Sequence, residues 1–320
     1  MKNNYLYYSV GALLYCPANK TSIADSIVSE KFGTNFSLAL CLEDTINDSF
    51  VEEAETILIE SITRIYIQHQ ARPFYLPKIF VRVRNSEQIT RLTKAFGESI
   101  AIVTGYIIPK FTTANAEEYI QAIIKANETA AKDIYMMPIY ESPSIVDLRT
   151  RADMLYRLKD MLSKIEKNVL NIRVGGNDLC HIFGFRRHSD ESIHCIKPIS
   201  NIFSDIITVY GVDYVISGPV WEYYAGAGWE QGLIRELRDD KLCGFTGKTV
   251  IHPNQIAVVN EAYKVSQSDL TDARAILNWN QDSNAYVLGN SAKERMNEYK
   301  THLNWAKQTL YLAEAFGVKE

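Results

Sequence analysis

Ionisable side chains stand where the apolar runs of this sequence give out. Glu43 and Asp44 follow SLALCL, Arg82 and Arg84 fall at the end of KIFVRV, and Lys110 follows TGYIIP. Glu141 ends IYMMPIY between Pro138 and Pro143, Asn177 and Asp178 follow LNIRVG, and His252 ends KTVIH. Gathered at one place, such charges are costly unless paired or bound to an ion. Two carboxylates from adjacent strands, Glu141 and Asp178, with few other polar ligands, suit a hard divalent cation. Magnesium takes one or two carboxylates and completes its shell with water and substrate oxygens. The thiolates and clustered imidazoles that zinc favours are missing around Glu141. Arg82, two strands away, has the planar fork that grips a carboxylate with two hydrogen bonds. Plainer roles exist for each residue: Asp44 or Asp178 as a helix cap, the arginines as partners of Glu43, and His252 as a core histidine.

The elements that must position these residues follow from the alternation of short apolar runs with longer amphipathic ones. Strands are expected at 11–16, 37–43, 78–83, 104–109, 134–140, 170–175, 213–218 and 248–252. Their runs are continuous, as in strands buried on both faces. Helical spacing fills the gaps. Over 47–69 it is carried by Phe50, Ala54, Ile57, Leu58 and Ile62, with Asn47 or Asp48 as cap, and over 144–166 by Ile145, Leu148, Ala152, Leu155, Leu158 and Leu162. Eight such units predict an α/β fold, a (β/α)8 TIM barrel over residues 1–264, with an open doubly wound sheet as the competitor. Residues 265–320 are expected to form a C-terminal helical extension, packed on the barrel or on a neighbouring subunit. Its helices are expected at 269–280 and 291–316, with a polar turn at 280–284.

Bulk properties narrow the function classes. A chain of 320 residues with 47% hydrophobic and 22% charged residues is an ordinary globular protein. Its net charge of −4 gives no electrostatic case for nucleic acid or an anionic membrane. Five scattered cysteines without a CxxC pair fit reduced thiols of the cytoplasm. No stretch approaches the roughly 18 apolar residues of a membrane span. The apolar segment after Lys2, from Val10 to Cys16, is too brief for a signal peptide.

Three stretches mimic known sites. GFTGKT (244–249) resembles the tail of a phosphate loop, but Leu242 occupies the place of its first glycine, and a strand follows where a helix is needed. GAGWEQG (226–232) lies too far past its strand for a dinucleotide fingerprint. CHIFGFRRHSDESIHC (180–195) has two cysteines and three histidines without zinc spacing, and its Arg186–Arg187 pair has the chemistry to hold a carboxylate or phosphate.

The motifs in order resemble the citrate lyase beta-subunit-like family of the HpcH/HpaI aldolase superfamily, magnesium-dependent carbon–carbon lyases. LLYCPANK is similar to that family's first strand and turn, LCLEDTI to its acidic second strand, FVRV to its arginine strand and YIIPKF to its Pro-Lys strand end. IYES matches the strand-five glutamate, VGGNDLCHIFG the metal-binding aspartate, and GFTGKTVIHPNQIAVVN the last strand and following helix. The resemblance implies a TIM barrel, homo-oligomeric, with magnesium held by Glu141 and Asp178. It implies aldol or Claisen cleavage, or the reverse, of a small oxo- or hydroxy-carboxylic acid or its acyl-CoA thioester, through a metal-stabilised enolate. Arg82 would contact the substrate carboxylate. Glu43 and Asp44 would join it in catalysis, and Arg84, Lys110 and Asn177 would bind substrate.

Three departures mark a divergent branch, resembling the barrel lyases found with stress-response biosynthetic clusters. Cys41 stands where the family commonly has aspartate, and YYSVGALLY lacks the arginine that helps hold CoA. An acid/base aspartate reaching in from a neighbouring subunit falls at Met296-Asn297-Glu298, which points to Glu298. The alternative function is a non-catalytic metal- and ligand-binding barrel serving as partner subunit in a biosynthetic complex.

Overall fold

The apolar runs form strands that are buried on both faces in the computed structural model, which describes residues 4–280 and 284–319. The strands are β1 (Ala12–Pro17), β2 (Ser37–Cys41), β3 (Lys78–Arg82), β4 (Val103–Ile108), β5 (Tyr135–Tyr140), β6 (Ile172–Val174), β7 (Ile216–Ser217) and β8 (Lys248–Val250). All are parallel, in the order β7-β6-β5-β4-β3-β2-β1-β8. A parallel bridge between Gly218 and Lys248, with Gly218 N–H donating to Gly247 O at 3.0 Å, joins the two ends. That join rules out the open sheet: the fold is a TIM barrel.

Helices α1 (Ile23–Val28), α2 (Val51–Ala71), α3 (Ser86–Ala95), α4 (Ala116–Ala130), α5 (Arg151–Ser163), α6 (Gly176–Phe183), α7 (Lys197–Tyr210), α8 (Trp229–Cys243) and α9 (Asn254–Tyr263) wrap it. Asn47 acts as a cap, accepting from Ser49 N–H at 3.0 Å ahead of the short 3-10 turn that opens α2. Successive strand residues point to opposite faces, so each strand feeds two cores. Leu14, Leu40, Val81 and Ile108 pack under the helices, while Leu13, Ala39, Phe80, Ile107, Met137 and Ile139 fill the barrel interior. The same period of two puts Tyr15 beyond Leu13, Arg82 beyond Phe80 and Glu141 beyond Ile139, all on the inward face. Two steps along a strand take the interior from hydrocarbon to charge.

The extension departs from expectation in one place. Residues 291–298 are not helical: β9 (Val287–Gly289) and β10 (Met296–Glu298) form an antiparallel hairpin before α11 (Tyr299–Phe316), while α10 (Gln267–Leu277) lies close to its expected position. The hairpin turn is held by Asn290, whose Oδ1 accepts from Glu294 N–H at 2.9 Å, and by Arg295, whose Nε donates to Asp272 at 2.6 Å. These local hydrogen bonds compete with a helix. Residues 281–283 of the expected 280–284 turn lie outside the described residues. Helix α11 returns to the N-terminal end of the barrel, where Tyr311 stacks on Tyr8 at 5.3 Å and Phe316 on Tyr263 at 5.3 Å.

Candidate active site

The C-terminal ends of the strands open on a cavity of about 210 Å³ lined by Tyr15, Asp44, Arg82, Glu141, Arg173, Asn177, Asp178 and Thr249. Arg82 is its hub. Its Nη2 lies 2.8 Å from Glu43 Oε2, 2.9 Å from Asp44 Oδ2 and 3.2 Å from Glu141 Oε1, with the side chain only 8% exposed. Lys110 adds a second cation, Nζ at 2.5 Å from Glu43 Oε1 and 3.2 Å from Asp44 Oδ1, and its backbone N–H donates to Glu141 Oε1 at 3.0 Å. Lys110 reaches this position with a left-handed φ of 48°, a backbone state uncommon for a side chain of this size.

Electrostatics set the acids apart. Burial pushes the Glu141 carboxyl up to about 8 against the pull of Arg82, and the Asp178 charge pushes the same way. Burial likewise raises Glu43. Burial also works against the Asp44 charge, but Glu43, Arg82 and Lys110 prevail and hold its carboxyl below the usual range. The two neighbouring acids are thus shifted in opposite directions, Glu43 upward and Asp44 downward.

The donor set fits a hard divalent cation. Glu141 commits Oε1 to Arg82 and Lys110, while Oε2 faces the backbone of Gly175, the residue that leads into α6 and Asp178. Among the described residues no group of three or more His, Cys, Asp or Glu side chains converges as a metal cage. Two carboxylates on a water-accessible cavity are the donor pattern of magnesium and not of tetrahedral zinc. A Cβ added at Gly175 would stand 2.1 Å from Glu141 Oε2. Gly175→Ala is therefore expected to displace that carboxylate and weaken magnesium binding at least tenfold. Calorimetry showing unchanged affinity would remove Glu141 Oε2 from the metal site.

Not every predicted residue lines this cavity. Arg84 clamps the loop after β2: its Nε donates to Leu42 O at 2.7 Å, Nη2 to Ile46 O at 2.5 Å, and Nη1 to Asp48 at 2.5 Å. His252 stacks on Tyr224 at 4.6 Å and borders a second cavity of about 430 Å³ with Lys20 and Lys31. Glu298 sits on the C-terminal hairpin, where its N–H donates to His302 Nδ1 at 3.1 Å, away from its own chain's mouth cavity. Arg187 is buried against Glu236 at 3.2 Å and Arg186 is 3.7 Å from Glu222, so the pair is split between structure and surface. Lys248 of GFTGKT is fully buried between Glu236 and Asp240 and faces no phosphate site. His194 of the cysteine–histidine stretch bonds Asp240 at 2.7 Å and Cys243 at 3.3 Å instead of a metal. Tyr15, Arg173 and Thr249 were not among the expected site residues. The legible signal was an arginine inside the apolar run LNIRVG, on the inward alternate of β6.

A closed parallel barrel with its charges at the C-terminal strand ends defines a TIM-barrel enzyme site. The chain matches the family model for the C–C bond lyase of the TIM-barrel fold over residues 4–318, and it belongs to that family of carbon–carbon lyases. Among curated relatives, the rat (Rattus norvegicus) mitochondrial citramalyl-CoA lyase is 62% identical over 34 residues, 11% of this chain and 10% of that protein. The match thus spans only about a tenth of that relative's length. Two solved structures of the citrate lyase beta subunit CitE from Mycobacterium tuberculosis share the fold. The one in complex with magnesium, acetoacetate and coenzyme A has a TM-score of 0.60 at 19% identity, over 96% of this chain and 99% of that one. The one with oxaloacetate and magnesium has a TM-score of 0.53 at 19% identity, over 81% and 98%.

Proposed function

We propose that this lyase is magnesium-dependent and cleaves or forms a carbon–carbon bond in a small oxo- or hydroxy-carboxylic acid or its acyl thioester. The observation that carries the reading is Glu141, a 3%-exposed carboxylate pushed up to about 8 and sharing one cavity with Asp178. Magnesium in the two CitE complexes supports it. When bound, the ion supplies Lewis-acid stabilisation of negative charge developing on a substrate oxygen.

The chain's own residues do the rest. Glu141 and Asp178 offer the carboxylate oxygens. Arg82 fixes Glu43, Asp44 and Glu141 relative to one another, so its charge is already divided among three carboxylates. Asn177 presents an amide at the first turn of α6, where unpaired backbone N–H groups favour a substrate anion. Glu43 accepts from Arg82 at Oε2 and from Lys110 at Oε1, and so orients both cations at the cavity's edge. The second cavity shares Tyr15 and Ile251 with the first and carries Lys20 and Lys31, a basic path for the handle of a thioester.

Metal binding is expected to follow pH. Glu141 must lose its proton to bind a cation, so magnesium affinity rises about tenfold per pH unit below roughly 8 and levels off above it. Affinity flat between pH 6 and 9 in calorimetric titrations would contradict Glu141 as a ligand. Function itself is tested by a thermal-shift and turnover screen of 2-oxo acids and acyl thioesters with magnesium. Stabilisation and turnover only with the metal present are expected; neither, for any acid or thioester, would sink the reading.

A second reading is motivated by Cys41 and by Met296-Asn297-Glu298, which stand where the family commonly has aspartates. The chain then binds metal and ligand without turnover, as partner subunit of a biosynthetic complex. Homo-oligomer formation that brings Glu298 to a neighbour's mouth would restore the first reading.

A further inference from the structure

Among the described residues the buried basic side chains are Arg82, Arg151, Arg173, Arg187 and Lys248. Four of them face carboxylates. Arg82 has Glu43, Asp44 and Glu141; Arg151 has Asp205 at 2.7 Å; Arg187 has Glu236 at 3.2 Å; and Lys248 has Glu236 at 2.9 Å and Asp240 at 2.6 Å. Arg173, 2% exposed, makes no ion pair among the described residues. Its partners are neutral: Nη2 donates to Thr249 Oγ1 at 2.5 Å, Nη1 lies 3.5 Å from Asn171 Oδ1, and the Tyr15 hydroxyl accepts from it. Burial pushes the Arg173 guanidinium down from its ordinary range, the direction expected when no counter-charge is supplied. Beneath it Asn171, 1% exposed, has an amide nitrogen with no hydrogen-bond partner.

A fully buried cation without an anion is expensive, and a fold that pairs its other buried cations shows no general tolerance for one. The guanidinium is not sealed in the core either. Arg173, Thr249 and Tyr15 line the same cavity as Glu141 and Asp178. Arg173 reaches from β6 to Thr249 on β8 and Tyr15 on β1, so the cavity has an acidic pole at Glu141 and Asp178 and a basic pole at Arg173.

We propose that Arg173, with Tyr15 and Thr249, binds a second anionic group of the substrate, so that this lyase takes an acid charged at both ends. The proposal rests on the reading of the cavity as a magnesium-dependent lyase site and narrows its substrate class. The acid function at the reacting end lies with the acidic pole and its cation. The distal carboxylate supplies the counter-charge that Arg173 lacks. A charge-assisted hydrogen bond to a buried guanidinium discriminates strongly against an uncharged group of the same shape, because that group leaves the donor unpaired.

The test compares two probes of one skeleton on the full chain with magnesium: oxaloacetate, freshly prepared, and 4-methyl-2-oxopentanoate, in which an isopropyl group replaces the distal carboxylate. Oxaloacetate is expected to bind the natural chain roughly tenfold or more tightly than the isostere. Arg173→Met should abolish that preference while keeping affinity for the isostere. Arg173→Lys, which keeps the charge, should reduce the preference without abolishing it, and serves if R173M does not fold. Equal affinities in the natural chain, or an unchanged preference in the variants, overturns the role of Arg173 and leaves the lyase site standing. Binding of neither probe overturns both.

Discussion

Glu141→Gln should abolish measurable magnesium binding and lower turnover roughly a thousandfold, about 4 kcal/mol of transition-state stabilisation. Glutamine keeps the shape of the side chain and its oxygen still accepts from Lys110 N–H, seen at 3.0 Å, so the loss reports charge and not collapse. The metal-free stability of the variant separates the two further. In the natural chain the Glu141 carboxyl is raised from its ordinary value of 4.5 to about 8, chiefly by burial. An acid raised on folding favours the folded state fully below its unfolded value, and that contribution is lost as pH rises through the folded one. Metal-free natural chain should therefore lose stability between about pH 4.5 and 8 by this group, and the variant should lack that component. Urea titrations at pH 5 and 8 read the difference, and calorimetry reads the metal. A variant that binds magnesium like its parent would take Glu141 out of the site altogether.

The trade-off follows from the same burial. Burying Glu141 within reach of the Asp178 charge costs stability in the absence of a cation, and it leaves two carboxyl groups on one cavity to bind one. Arg82 limits that cost by reaching Glu141 at 3.2 Å, yet its nearer contacts are Glu43 at 2.8 Å and Asp44 at 2.9 Å.

How much of this could be read from the sequence differs by residue. Glu141 and Asp178 were legible because strand-end position is local: an apolar run, then an acid. The eight strands were legible for the same reason, and closure of the barrel was not, because the Gly218–Lys248 bridge joins residues that no periodicity relates. Arg84 was misplaced by a local rule. It lies two residues beyond Arg82 in the sequence, but the chain has left the strand at Val83, and the loop carbonyls of Leu42 and Ile46 capture it. Arg173 carries no local signal of its role: a charge inside an apolar run is ordinarily met by a carboxylate from another strand or helix, and only the three-dimensional contacts show neutral partners instead. The hairpin at 287–298 was hidden by side-chain bonds, Asn290 to Glu294 and Arg295 to Asp272, that act against the helical spacing of the region.

Lys248→Met should be the most destabilising single change away from the mouth. GFTGKT mimics a phosphate loop because the fold needs a lysine there for another purpose. Lys248, on the outward face of β8, is fully buried and bonds Glu236 at 2.9 Å and Asp240 at 2.6 Å on α8, pinning the helix to the last strand. Burial would raise the Asp240 carboxyl, but the Lys248 charge and the His194 hydrogen bond hold it below the ordinary range. Removing the lysine leaves two buried carboxylates, Glu236 held by Arg187 and the Ile193 N–H and Asp240 by His194. Breaking a buried pair in this way costs about 3–5 kcal/mol. For a chain of 320 residues that is a fall of roughly 4–8 °C in the unfolding midpoint. Adding Asp240→Asn should recover part of the loss, because it removes one of the stranded charges. Stability within about 2 °C of the parent for K248M alone would mean that the network tolerates an unpaired carboxylate. Arg173, the buried cation with no carboxylate, would then be less anomalous than the pairing of its neighbours implies.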